Sequence, residues 1–478
     1  MKTLILSLAA FGLIACSENG SSPAPTGDTP KVFGETSPVI TVTDQTGTPL
    51  VGAKILFGTT YDENKMLETD ARGQVSIDDK LWTSRTYITI DHPNFVRATY
   101  VGVEPVSMDV KLNPLMKERA YGISGITTGF GSLAKDKWAD VSVVAPMFRR
   151  EQLVGFDLSY VISDQMDQMK VMGRTINIPS NISFPKQKEK YGWFTITLNK
   201  PSYRMPFFFP GAYDLIALHG RFPFEKTIDK VRGGDNIFSV VNDFVINQGG
   251  ITRVDIDGND HEMDLPINNI QFEKEVELMS PSVDAGEVTM IVGLNKQADR
   301  YFPSGIKYVK AQENVKINFS AEHESLALAF QSEEVETDKD TKGISNKISI
   351  EVMPLNQSSS FNLLERVESP AWENDGLVFD IPADNEEVFQ GGTYVSLTVY
   401  ENDANPHAEV PNSQKQWEFY APNWLDRMEV PEWPTGLSQE KNLRWEVMFL
   451  GKKNNSAVPL GAEILKEASH VSRNTLDL

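Results

Sequence analysis

The sequence predicts an all-β chain built of tandem antiparallel β-sandwich domains of the immunoglobulin-like kind. Three observations lead there. Short runs of β-branched and aromatic residues alternate with polar ones at a period of two. Glycine, aspartate and proline punctuate those runs. Only 165–171 and 462–468 suit short helices, and no segment suits a long one.

The strands are expected first at 38–43, 50–57, 74–77, 87–90 and 106–112. Between them stand turn signals: Asp44-Gln45-Thr46-Gly47, Asp70-Ala71-Arg72-Gly73 and Asp91-His92-Pro93-Asn94. Further along, 191–198, 213–218, 288–292, 347–352 and 394–400 read as strands by the same alternation. Three of these open alike, at Gly211-Ala212-Tyr213, Gly286-Glu287-Val288 and Gly392-Thr393-Tyr394. The Gly-x-Tyr pair is similar to the start of a late strand in immunoglobulin-like sandwiches.

Ahead of the first strand the chain has a different character. Lys2 is followed by an apolar run from Leu4 to Ile14, interrupted only by Ser7 and Gly12. That is the length of a secretory apolar region and too short to span a bilayer. It ends in Leu13-Ile14-Ala15-Cys16, and Cys16 is the sole cysteine of 478 residues. The segment resembles the lipobox of bacterial lipoproteins. The resemblance implies cleavage before Cys16, a thioether to diacylglycerol on Cys16, and acylation of the new amino terminus. One acyl chain holds a membrane only marginally, at about 0.8 kcal/mol per buried CH2, so several chains together make the anchor stable. Ser17 follows where an aspartate would signal inner-membrane retention, so the resemblance implies the outer membrane, with the folded part extracytoplasmic. Residues 16–36 are rich in Ser, Pro, Gly and Thr. They read as a flexible tether with a reach of about 25 Å.

The first globular segment has its own signature. Asp44-Gln45-Thr46-Gly47-Thr48-Pro49-Leu50-Val51-Gly52-Ala53-Lys54-Ile55 precedes Thr69-Asp70-Ala71-Arg72-Gly73-Gln74-Val75. Residues 37–113 resemble the carboxypeptidase regulatory-like and transthyretin-like domains. The resemblance implies a small immunoglobulin-like sandwich that serves as a stalk or binding module without catalysis. Gly47 and Gly73 are expected at positive φ, and the segment is expected to fold by itself. The domain plan is therefore signal peptide 1–15, lipidated tether 16–36, sandwich 37–113, a β-rich domain 114–312 and a sandwich-like domain 313–478.

Sixty-six acidic residues face 45 basic ones, a net charge of −21. Such a surface disfavours nucleic acid and anionic headgroups. With Cys16 lipidated, no disulfide is available, and the cores must carry stability alone.

Motifs for chemistry are sparse. The six histidines, His92, His219, His261, His323, His407 and His470, lie too far apart in sequence for helical zinc pairs. No serine-nucleophile, Walker or dinucleotide motif occurs, and no cofactor or metal is expected. The acidic stretch Asp255–Asp264 reads as a hairpin turn at Asp257-Gly258 between 251–256 and 263–267, with oxygen ligation of Ca2+ as the alternative. Trp417, Trp424, Trp433 and Trp445 crowd one window and read as core, with a sugar-stacking face as the alternative. Pro206-Phe207-Phe208-Phe209-Pro210 reads as an aromatic loop. The function these features favour is a lipid-anchored envelope protein with a non-catalytic binding, adhesion or structural role. It would be held to the membrane through Cys16, with a protein or glycan partner. A glycan or peptide hydrolase and an accessory subunit of an outer-membrane complex are the alternatives.

Overall fold

The computed structural model describes residues 37–478 apart from 79, 116–120, 132, 134–136, 156–162, 164, 172–173, 208, 233–236, 337–341, 356–359, 384, 401–412 and 434–441. Cys16, the signal peptide, the tether, His407 and Phe208 lie outside the described residues. The described chain is all-β, in open sheets stacked as sandwiches.

Residues 37–113 form seven strands in two facing sheets. One sheet orders Gln74–Ser76, Val39–Thr43 and Met108–Lys111. The other orders Leu67–Glu68, Lys54–Phe57, Thr86–Asp91 and Arg97–Val103. Two Asp-x-x-Gly turns shape it. The Asp44 carboxylate accepts the amides of Thr46 and Thr48, each at 2.8 Å, and Asp70 does the same for Arg72 and Gln74 at 2.8 and 2.9 Å. Gly47 and Gly73 close these turns at φ +89° and +70°. Val51 and Gly52 form a further turn, so the expected strand 50–57 shortens to Lys54–Phe57.

Arg97–Val103, which the sequence reading passed over, does not end the sheet. It pairs in parallel with Ser413–Ala421, setting Trp417 against Arg97 and Tyr420 against Tyr100. Through that pair the first sandwich joins a 13-stranded sheet. The sheet runs on through Phe389–Tyr400, Asn442–Lys452, His470–Asp477, Ile348–Pro354, Glu324–Glu336 and Glu287–Gln297 to Arg300–Val309. Alternate side chains feed two cores. Val395, Leu397, Trp417, Phe419, Trp445, Val447 and Phe449 pack under the small sheet of Ala371–Glu373, Gly376–Val378 and Arg427–Glu429. Tyr394, Tyr420, Met448 and Leu450 share the opposite core with Ile40, Val42 and Ile464. Burial on both faces puts apolar side chains at successive positions, as at Tyr394-Val395 and Val447-Met448-Phe449-Leu450. The cluster of tryptophans is thus core: Trp417, Trp424 and Trp445 are buried and Trp433 packs against them.

The middle segment stacks the sheet of Phe194–Lys200, Ile182–Tyr191, Trp138–Pro146, Gly211–Pro223, Val245–Ile256 and Ile270–Gln271 on a smaller one. The smaller sheet contains Ser202–Phe207 and Tyr121–Thr128. Residue 312 falls in the turn between Arg300–Val309 and Asn314–Phe319. The latter strand pairs back with Lys274–Met279, so strands on both sides of 312 share one sandwich.

Several local expectations change. Residues 166–171 form a strand, not a helix, zipped in register against Arg174–Pro179. The Asp257-Gly258 turn exists, with Gly258 at φ +104°, but it does not close a hairpin. His261–Glu262 and Leu265–Pro266 cross to the opposite sheet and run parallel to Tyr121–Thr128. Gly125 permits this, because a Cβ there would lie 1.9 Å from the Met263 carbonyl oxygen. Pro206 and Phe207 belong to a strand, with the Phe207 ring in the core 4.5 Å from Tyr213, rather than to a loop. The Tyr213 hydroxyl donates back to the Phe209 carbonyl at 2.9 Å. The short helix near 462–468 is present as Glu463–Glu467.

The parallel junction is held by a buried carboxylate. Glu418 accepts from Lys415 Nζ at 3.0 Å, from the Tyr394 and Tyr420 hydroxyls at 2.9 Å each, and from Asn113 Nδ2 at 2.8 Å. Beside it, Trp417 Nε1 donates to Thr99 Oγ1 at 2.8 Å. The Arg97 guanidinium lies between the Trp417 and Trp433 rings, 4.5 and 4.4 Å from their centroids. Burial pushes the Glu418 carboxyl up, but the Lys415 charge and the converging donors outweigh it and hold Glu418 below its ordinary value.

Gly73→Val places a β-branched side chain at positive φ with its Cβ 2.5 Å from the Val42 carbonyl oxygen. It should lower unfolding free energy by about 1–3 kcal/mol in urea melts; an unchanged midpoint would refute the turn assignment. Glu418→Gln should lower stability by about 1–3 kcal/mol, because it sets an amide NH2 among donors that converge on a buried carboxylate. Because the folded Glu418 is depressed, its contribution is full above the unfolded value and is lost as pH falls through the folded one. The variant's stability should therefore depend less on pH across the acid limb, which paired melts from neutral to acid pH would show.

Candidate binding cleft

The described surface contains an open cleft of about 720 Å3 in the middle segment. Its walls come from three places. Ser124, Gly125 and Ile126 lie on Tyr121–Thr128; Asp167 and Gln168 come from the Met166–Val171 hairpin; Lys200, Tyr203 and Arg204 flank the link between two neighbouring strands. Glu262 and Asp264 complete the rim from the crossing segment. The volume suits a small ligand, but the lining is mostly polar.

Its charges are fixed. Asp167 holds Arg204 Nη2 at 3.0 Å through one oxygen and Lys200 Nζ at 3.1 Å through the other. The buried Lys200 ammonium also donates to the carbonyls of Ser180, Ile182 and Ser202 at 3.1, 2.5 and 3.0 Å. Burial lowers its pKa, and Asp167 opposes that shift. A lysine so fully engaged is a poor nucleophile and a good structural pin. On the other side, the Asp264 carboxylate accepts the Ile126 amide at 3.1 Å. The Tyr203 hydroxyl donates to the Met263 carbonyl at 2.7 Å, and burial pushes its pKa up. The cleft thus presents fixed dipoles, with the half-buried Arg204 as a cation and the exposed Glu262 and Asp264 as anions in its lining. That arrangement orients a polar ligand carrying both donors and acceptors.

Two titratable clusters elsewhere are internal. His219 Nε2 sits 2.6 Å from Asp140 Oδ1, which also accepts Arg221 Nε at 2.9 Å. Both His219 and Asp140 are buried in the sheet beside the Thr127, Ser142 and Ser183 hydroxyls. His470 places one ring nitrogen 2.8 Å from Ser469 Oγ and the other 3.4 Å from Glu351, and Lys453 Nζ reaches Glu351 at 2.8 Å. Glu351 and His470 are likewise buried. His323 meets Ser320 Oγ at 2.9 Å, and burial lowers its pKa. His261 meets the exposed Asp257 carboxylate at 2.9 Å. In the acidic stretch, Asp260 accepts the Gly122 amide at 2.6 Å, so its carboxylate fastens the crossing segment. Among the described residues, no group of three or more His, Cys, Asp or Glu side chains is arranged to hold a metal ion.

The sequence reading did not single out the cleft. Asp167 lay in a segment expected to be helical, and Lys200 and Arg204 are isolated basic residues in an acidic chain. Lys200→Met should destabilise the protein by about 3 kcal/mol or more, because three carbonyls lose a buried donor. Arg204→Met, at the exposed side of the same carboxylate, should cost under about 1 kcal/mol. Urea melts of the two variants would separate these roles, and equal losses would contradict them.

No family model matches the chain, and no curated protein matches it. Among solved structures, it is similar to the Bacillus anthracis TIE protein at 11% identity and a TM-score of 0.13, covering 67% of this chain and 48% of that one. The chain thus spans about half the length of the TIE protein. It is also similar to a candidate adhesin from Bacteroides ovatus at 8% identity and a TM-score of 0.12, covering 52% of this chain and 84% of that one.

Proposed function

We propose that this chain is a lipid-anchored binding protein of the cell envelope whose ligand is a polar glycan or peptide taken up by the Asp167–Lys200–Arg204 cleft. The observation that carries the binding role is the cleft itself: opposed, prefixed charges in an open site, on a scaffold whose buried ion pairs serve packing. Preset dipoles favour binding because they need little reordering when a ligand arrives. The anchor rests on the sequence: an apolar leader, a small residue before Cys16, and a Ser, Pro, Gly and Thr-rich tether after it. Ser17 directs the mature protein to the outer membrane, with the sandwiches extracytoplasmic. The likeness of 37–113 to regulatory-like domains assigns that segment a supporting role.

Cys16→Ser should abolish incorporation of a clickable palmitate analogue in cells and release the protein from outer-membrane density fractions. Label retained by the variant would defeat the anchor. For the cleft, binding of the purified chain to an array of glycans and peptidoglycan fragments should fall by about tenfold or more in Asp167→Ala/Arg204→Ala. Time-dependent cleavage of an array ligand would instead identify a hydrolase.

A further inference from the structure

The strongest unassigned feature stands at the edge of the middle sheet. Ile182–Tyr191 and Phe194–Lys200 form an antiparallel hairpin with Tyr191 opposite Phe194, leaving Gly192 and Trp193 as a two-residue loop. Gly192 has φ +55° and Trp193 is not at positive φ, the pattern of a type II′ turn with glycine first. Trp193 is 100% exposed and Phe194 is 62% exposed. The two adjacent rings make one bared aromatic patch at the hairpin tip.

The tip is nonetheless braced. The Gly192 amide donates to Glu225 Oε1 at 3.0 Å and the Tyr191 hydroxyl donates to Asp229 Oδ1 at 2.9 Å, both on the helix Phe224–Arg232. Behind the hairpin, Ile196 and Leu198 pack on Phe224 and Ile228. The helix and its two carboxylates therefore back one face. The strand period sends the other residues outward. Lys186, Lys188 and Lys190 are exposed, while Gln187 and Glu189 between them are buried. Lys188 and Lys190 lie opposite Thr197 and Thr195, so the outer face of the two strands carries no carboxylate. Among the described residues, none of the three lysines has an ion-pair partner.

We propose that this hairpin is a membrane-contact element that seats its Trp193–Phe194 tip in the interface of an anionic phospholipid bilayer, with Lys186, Lys188 and Lys190 against the headgroups. Indole and phenyl rings settle at the headgroup level, and a nearby basic row adds attraction that salt screens. Charge complementarity selects this occupant: the basic row is local, on a chain whose net charge is −21. The proposal rests on the envelope reading only for the presence of a nearby bilayer.

The test uses the mature chain 16–478 carrying Cys16→Ser, so that neither the apolar leader nor an acyl chain contributes, and acylation is judged separately by the palmitate label. It should float with vesicles of phosphatidylcholine mixed with phosphatidylglycerol, not with phosphatidylcholine alone, and release as salt rises. Trp193→Ala/Phe194→Ala should weaken binding about tenfold or more. Lys186→Gln/Lys188→Gln/Lys190→Gln should weaken it on the order of a hundredfold and remove the salt dependence. All substituted side chains are exposed, so melting temperatures should match the parent. If the tip variant melts early, the lysine variant alone decides. No binding by the parent, equal binding to neutral vesicles, or undiminished binding in the deciding variant overturns the proposal. So does a dimer in sedimentation that the tip substitutions dissociate, since a second copy would then occupy the tip.

Discussion

The pairing of Arg97–Val103 with Ser413–Ala421 governs the architecture, and the Glu418 carboxylate makes that pairing specific. A buried carboxylate is costly unless its lone pairs are filled and its charge is met. Glu418 is met from both sides of the seam, by Asn113 of the first sandwich and by Lys415, Tyr394 and Tyr420 of the last sheet. Neither side alone completes the set. The seam joins residues about three hundred positions apart, so its closure entropy is considerable, although it grows only slowly with loop length. Stacked aromatics offset part of that cost, with Tyr100 and Tyr420 centroids 5.5 Å apart and Arg97 between two indoles. The first sandwich is thus continuous with the large sheet, and excising 37–113 would bare the edge of Arg97–Val103.

What was legible in the sequence was local. Alternation found five of the seven strands in 37–113 but a minority of those beyond it, and aspartate with glycine marked the Asp44–Gly47 and Asp70–Gly73 turns, because those signals act over a few residues. Arg97–Val103 was not singled out because it is buried on both faces through partners that local patterning does not reveal. Residues 165–171 misled for a related reason: two methionines and two glutamines fit a helix by propensity, and only the pairing of Met166–Val171 with Arg174–Pro179 decides for strand. The Asp257-Gly258 turn was visible, but the crossing after it depends on Gly125 admitting the carbonyl of Met263, which links His261–Glu262 to Leu265–Pro266. The cleft was illegible for the same reason, since Asp167, Lys200 and Arg204 meet only after two hairpins close.

The histidine clusters show how similar ingredients serve a fold rather than a reaction. Asp140 with His219, and Glu351 with His470, have the partners that an acid–base pair would use. A general base must also reach a substrate proton, and these four side chains are buried within sheets. Their polar atoms instead tie neighbouring strands. Asp140 draws His219 and Arg221 from the adjacent strand, while the Gln187 side chain on the other side bonds the Asp140 backbone twice. Such pairs add register specificity where uniform apolar strands would slide.

Net charge likewise describes the chain and not its parts. The total of −21 argues against anionic surfaces only if the charge is spread evenly. The period of the Ile182–Tyr191 strand breaks that evenness: lysines at 186, 188 and 190 take the outer face and Glu189 takes the inner one. A slip of one residue would bury the lysines and expose Gln187 and Glu189, so hairpin register sets the sign of this surface. Register here is fixed by the two-residue turn, and the turn by Gly192 held against Glu225. The bonds that brace the tip therefore also determine which charge it presents.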